Sequence, residues 1–170
     1  MAGSLVQIDK EVVTTATSEV ILTGINTDDV YFVTATGIVV SADDGNIRSR
    51  VTLNGIADDT SNYDRAGKQF KGNATFTNSI STNDNQWNLH FAGGNATGEI
   101  NNFHYYAFNF NNANKYSSIT VHESGYNKLA VLTGQQGAGI HTVNQSCDGF
   151  SFIPNTGNIT AGNFVLYKVL

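Results

Sequence analysis

The stretch Asn46-Ile47-Arg48-Ser49-Arg50-Val51-Thr52-Leu53 sets Ile47, Ser49, Val51 and Leu53 on one side and Arg48, Arg50 and Thr52 on the other. Successive side chains of an extended chain point to opposite faces, so a period of two predicts a half-buried strand. Just upstream lies Asp43-Asp44-Gly45-Asn46. Asp-Gly between apolar runs predicts a hairpin, because glycine tolerates the positive φ of a tight turn. The run before it, Asp29 to Val40, reads D-V-Y-F-V-T-A-T-G-I-V-V, rich in β-branched and aromatic residues, with a break or bulge expected at Gly37.

Similar runs recur outward from this centre. Ser18–Thr23, Asn102–Phe110, Ser117–Glu123, Lys128–Thr133, Gly139–Val143, Gly149–Ile153 and Asn163–Val169 all read as strands, and the C-terminal run is expected to pair in a sheet. Gln86–Phe91 alternates, with Trp87, Leu89 and Phe91 on one side. Tyr63–Phe70 fits a strand or one or two helical turns. Asn102–Phe110 is apolar on both faces, as in a strand inside a sandwich or at a subunit interface. Roughly eight to ten strands at intervals of about 8–15 residues, with Gly/Asn/Asp turns and little helix, predict an all-β chain. The expected architecture is a single domain over residues 1–170: an antiparallel β-sandwich, jelly-roll-like. The sequence has no linker and no repeat of fixed period.

Composition agrees. The chain has 170 residues, 40% hydrophobic and 11% aromatic, enough for a packed core in one domain. Charged residues are only 14%, against about 25% in an average soluble protein. Asn, Thr, Ser and Gly, which favour turns and strand surfaces, supply the polarity. The net charge is −5 and the nine Lys and Arg are scattered. Nucleic acid and anionic membranes, which need clustered cations, are therefore not expected partners. No apolar run reaches the roughly 20 residues of a membrane-spanning helix. The start Met1-Ala2-Gly3-Ser4-Leu5-Val6 has no charged n-region followed by an apolar core, so no secretory signal is expected. Synthesis in the cytoplasm follows.

No catalytic residue, metal ligand or cofactor is assigned. Cys147 is the single cysteine, and no nucleophile signature surrounds it. His90, His104, His122 and His141 lack ligand spacing; a site assembled across strands, as from His104 and His122, is the one route left to them. Asp28-Asp29, Asp43-Asp44 and Asp58-Asp59 do not fit a calcium-loop pattern and read as turn residues. Gly134-Gln135-Gln136-Gly137-Ala138-Gly139 lacks the lysine and helix of a phosphate cradle and reads as a flexible loop. Glu99 and Glu123 are acids near aromatic strands, but sequence does not place two carboxyls in one cleft. Trp87, Tyr105, Tyr106 and Tyr116, among many Asn residues, are the candidate contact residues. They suit core packing, a protein interface or stacking on a sugar ring.

Several segments carry a resemblance. Leu5-Val6-Gln7-Ile8-Asp9-Lys10-Glu11-Val12-Val13, Val20-Ile21-Leu22-Thr23-Gly24-Ile25 and Asp29-Val30-Tyr31 are similar to small virion structural proteins of marine and cyanobacterial tailed phages. So are Asn62-Tyr63-Asp64-Arg65-Ala66-Gly67-Lys68 and the ending Gly157-Asn158-Ile159-Thr160-Ala161-Gly162-Asn163-Phe164-Val165-Leu166-Tyr167. The likeness runs over nearly the whole chain and rests on strands and turns. It implies a jelly-roll-like particle protein located in the virion, often trimeric, with no catalytic residues.

Two functions follow as expectations. One is a virion structural protein, a decoration on the capsid exterior or a small appendage, bound to other capsid or tail proteins and forming a homo-oligomer, with a trimer favoured. The other is a receptor-binding module of the tail or tail fibre that recognises a host surface glycan. An enzyme is not expected.

Overall fold

A computed structural model of the chain describes residues 3–88 and 93–170. Among these residues there are twelve strands and no α-helix: β1 (Leu5–Val13), β2 (Val20–Thr23), β3 (Tyr31–Val40), β4 (Ile47–Leu53), β5 (Ile56–Ala57), β6 (Tyr63–Lys71), β7 (Ala74–Asp84), β8 (Asn101–Phe108), β9 (Tyr116–Tyr126), β10 (Leu132–Asn144), β11 (Gly149–Pro154) and β12 (Ile159–Val169). One sheet has eight strands in the order β1-β12-β3-β8-β9-β10-β6-β7. The other has four, in the order β2-β11-β4-β5. Every strand pairing is antiparallel. The fold is the antiparallel β-sandwich expected from the alternating runs, in an eight-on-four arrangement compatible with a jelly roll.

Aromatic rings join the sheets. Phe152 of the small sheet lies 5.6 Å from Phe103 and 5.3 Å from Phe164 of the large one. Phe150 meets Tyr105 at 5.9 Å. Burying each such ring contributes roughly 1.5–3 kcal/mol. The alternation of β4 is realised from Ile47 to Val51, where Ile47, Ser49 and Val51 are buried. It breaks at the end, where Thr52, expected on the other face, is fully buried with its hydroxyl donating to Asp148 Oδ1 (2.7 Å) and Leu53 is only half-buried. Ser49 is tolerated there because its hydroxyl lies 3.0 Å from the Tyr105 hydroxyl, a hydrogen bond across the core. The Tyr63 hydroxyl also spans the sheets, accepting from the Val51 amide (3.2 Å) and donating to the Asp58 carbonyl (2.7 Å).

The chain departs from its sequence reading in several places. The Asp43–Asn46 turn exists, with Asp44 at φ 69°, but it joins strands of different sheets and is not a hairpin. Lys128 to Ala130 form the β9–β10 turn, where Asn127 Oδ1 accepts from the amides of Leu129 (2.9 Å) and Val131 (3.1 Å). The expected flexible loop Gly134–Gly139 is the middle of β10, paired on both sides with β6 and β9. Its glycines permit close approach. A Cβ on Gly137 would lie 2.6 Å from the Ala66 carbonyl oxygen, and one on Gly139 would lie 2.6 Å from the Trp87 indole nitrogen. Finally, Ala74–Asp84, which shows no buried face in its sequence, is an edge strand. Tyr63–Lys71 is a strand and not a helical turn. Of the expected Gln86–Phe91 strand, Trp87 forms an isolated bridge with Ser49, and residues 89–91 lie outside the described residues.

Two substitutions probe these contacts. Phe152→Ala is expected to cost about 3–5 kcal/mol by leaving a cavity between the sheets. Gly139→Ala, which forces a methyl group against Trp87, is expected to cost about 1–3 kcal/mol. Urea unfolding of each variant beside the parent measures both.

Candidate functional site

The side of the eight-stranded sheet turned away from the small sheet is the candidate site. In register across seven strands, Tyr167, Phe32, Tyr106, Thr120, Ala138, Ala66 and Ile80 stand opposite one another from β12 to β7. Residues in register share a face. Their sequence neighbours Tyr31, Val33, Tyr105, Ala107, Ile119 and Val121 are buried on the inner face, so this row faces outward. Phe32 packs 4.8 Å from Tyr106 and 6.4 Å from Tyr167. At the far end Phe70 and Phe76 meet edge-to-face at 5.1 Å, beside Ile80, which is 70% exposed. Apolar side chains gathered this way on a solvent face mark contact surfaces.

A second row runs beside the first: Val165, Thr34, His104, His122, Gln136, Lys68 and Asn78. His104 and His122 are direct cross-strand partners on β8 and β9, with ring centres 5.1 Å apart. Partial burial, and then the nearby His122, hold the His104 imidazole below its ordinary pKa. Phe32, Thr34, Asn102 and Ser124 join the two histidines in lining a shallow depression.

The four aromatic residues singled out from the sequence separate. Trp87 and Tyr105 are fully buried, so they belong to the core and cannot touch a partner or a glycan in the folded protein. The Trp87 indole donates to the Ile140 carbonyl at 3.3 Å and meets Tyr63 edge-on at 5.1 Å. Tyr106 lies on the outer face, 42% exposed. Tyr116 is half exposed but stands at the start of β9, opposite Asn144, away from the Tyr106 row. Phe32, Tyr167, Phe70 and Ile80 complete the surface and were not singled out. For Phe32 and Tyr167 the signal was present in apolar runs that alternate with core residues such as Tyr31, Val33 and Leu166; Phe70 and Ile80 lie among polar neighbours and carried none.

Groups with chemical potential are mostly engaged within the fold. Cys147 is fully buried, with the Ser117 hydroxyl 3.6 Å from its sulfur. Burial pushes the thiol up to about 11, which keeps it protonated and unreactive at neutral pH. His141 is buried against Tyr63, its Nε2 3.1 Å from Asp58 Oδ2. Burial lowers the pKa of His141, outweighing the attraction of Asp58. Asp58 is lowered as well: burial alone would raise it, but hydrogen bonds from Thr60 and Gln145 and the nearby His141 prevail. Each acidic pair supplies one charged or hydrogen-bonding partner, and only the contacts with lysine are ion pairs at neutral pH. Asp29 meets Lys168 at 2.5 Å, Asp44 meets Lys128 at 2.6 Å, and Asp58 meets His141. Glu99 accepts from the Ala96 amide of its own turn at 3.0 Å, while Glu123 is buried on β9 opposite Phe103 and Gln135. His90 lies outside the described residues.

No family model matches the chain, and no curated protein matches it.

Acid is expected to destabilise the fold through His141. Its folded pKa lies below the ordinary 6.5. The unfolded chain therefore takes up the proton first as pH falls. The stability contribution is complete above about 6.5 and is lost as pH drops through the folded value. Asp58, held below its ordinary 3.8, adds a second loss under that pH. Thermal midpoints measured down this range should fall in both windows, and His141→Gln should shrink the first decline, leaving the part due to His104. In the same protein Cys147 should resist a thiol reagent until denaturant is added.

Proposed function

We propose that the chain is a virion structural protein of a tailed phage, a decoration on the capsid exterior or a small appendage. It acts by protein–protein contact through the outer face of its eight-stranded sheet. The observation that carries the contact mode is the uninterrupted register row from Tyr167 to Ile80. The phage assignment rests on the resemblance of the strand and turn segments.

The sheet edge supports assembly as well. An exposed edge strand is a template for pairing with another chain unless lysine, proline or a bulge blunts it. Strand β7, Ala-Thr-Phe-Thr-Asn-Ser-Ile-Ser-Thr-Asn-Asp, has neither lysine nor proline. Its register against β6 shifts near both ends, so Thr77 to Ser81 is the regular stretch open to pairing, and exposed Phe76 and Ile80 continue the outer face to that edge. A symmetric homo-oligomer, with a trimer favoured, would bury this end and stabilise the folded form by mass action.

A second reading is recognition of a host surface glycan by a tail module. Exposed Tyr106 and half-buried Phe32 offer ring faces, and Asn102, Thr34 and Thr36 beside them offer hydrogen-bonding groups. Electron cryo-microscopy of purified particles separates the readings. A decoration occurs at a copy number set by capsid geometry. A recognition module occurs in a few copies at the tail tip and binds host polysaccharide.

Charge on the outer face should break the contact and spare the fold. The double substitution Phe76→Lys and Ile80→Lys changes only exposed side chains. It is expected to leave the thermal midpoint within about 1 kcal/mol of the parent in stability. The same change should abolish self-association in analytical ultracentrifugation and co-sedimentation with particles. Retained association would count against this surface.

A further inference from the structure

We propose that His104 and His122 form a binding site for a divalent transition-metal ion, held by the two imidazoles with water or a partner's ligand in the remaining positions. The inference is independent of the virion reading and takes up the one route the sequence left open to these histidines, neither of which was assigned there as a metal ligand.

Geometry is the main ground. The two residues are direct register partners on neighbouring strands and share the outer face. Two imidazoles that share one tetrahedral ion, each nitrogen about 2.0–2.1 Å from it, hold their ring centres about 5 Å apart. The His104 and His122 rings are 5.1 Å apart, inclined at 46°. The sheet thus presets the spacing, so binding needs only small ring rotations and orders little new chain.

The rings are also free to ligate. Among the described residues, neither makes a hydrogen bond or ion pair with another protein group. His122 is exposed, and the depression lined by Phe32, Thr34, Asn102 and Ser124 opens to solvent beside it. Two histidines on one face contrast with buried His141, whose place beside Asp58 and Tyr63 leaves no access for an ion.

The donor set selects the metal class. Imidazole suits Zn²⁺, Ni²⁺ and Cu²⁺ and disfavours Ca²⁺ and Mg²⁺, which require oxygen ligands. No group of three or more His, Cys, Asp or Glu able to hold a metal occurs among the described residues. The site is therefore a two-ligand, open one, with coordination positions free at the surface.

The test uses the full chain without an affinity tag. Calorimetric titration with NiCl₂ and with ZnSO₄ should show one ion per chain, and CaCl₂ should show none. One equivalent of CuCl₂ should give an electron paramagnetic resonance spectrum with nitrogen couplings from two imidazoles. His122→Ala and His104→Ala should each weaken binding about tenfold or more, while circular dichroism and the thermal midpoint confirm the fold. His122 is exposed, so its variant keeps the test valid if His104→Ala proves unstable. Saturable binding that persists unchanged in His122→Ala, or its absence from the parent chain, overturns the site.

Discussion

Four strands cannot cover eight, and this mismatch governs the molecule. The small sheet meets the large one through Phe150 and Phe152, which lie over Phe103, Tyr105 and Phe164. Beyond β4 the small sheet continues through the two-residue β5 and, at Ser49, through an isolated bridge to Trp87. That residue fills the space over β10 and β6, with its indole on the Ile140 carbonyl and against Tyr63. Arg65 fastens the same wing, donating to Ser79 Oγ (2.6 Å) and to the Asn88 carbonyl (2.8 Å). One face of the large sheet is thereby closed by two different means, and the other is left to solvent.

The glycines of β10 follow from the same constraint. Where Trp87 presses on the sheet, position 139 has no room for a methyl group. Where β10 passes β6, position 137 has none either. A glycine-rich segment that looks like a loop becomes a central strand, because its neighbours lie too close for side chains. The cost is the extra entropy that glycine loses on ordering. Two flanking ladders of hydrogen bonds offset it.

Much of this fold was legible in the chain, for a physical reason. Strands that bury one face on a core must alternate, and Ile47, Ser49 and Val51 do so plainly. Strands without a buried face carry no such pattern, which hid β7 with its run of Thr, Ser and Asn. The Asp43–Gly45 turn was readable, but not which sheet the next strand would join, because sheet membership depends on distant partners. The candidate surface was legible in part. Tyr106 stood out, and Trp87 and Tyr105 stood out equally, since a ring bound for the core and a ring bound for solvent look alike in sequence. The pairing of His104 with His122, eighteen positions apart, could be named from the sequence as one way to assemble a site across strands, but only register places the two rings opposite each other.

The distribution of polar chemistry then decides where the protein can act. Inside, the reactive groups are neutralised or paired: the Cys147 thiol by burial, His141 by Asp58 and Tyr63, and the hydroxyls of Ser49 and Tyr105 by each other. A group locked in this way stabilises the fold but cannot meet another molecule. Outside, on the uncovered sheet face, aromatic rings, a histidine pair and the lysine-free edge strand β7 remain uncommitted. Strands tied to two neighbours hold these groups at fixed spacing. A surface that is both apolar and preset loses little entropy when it is covered, which is the physical condition for contact with a repeated partner.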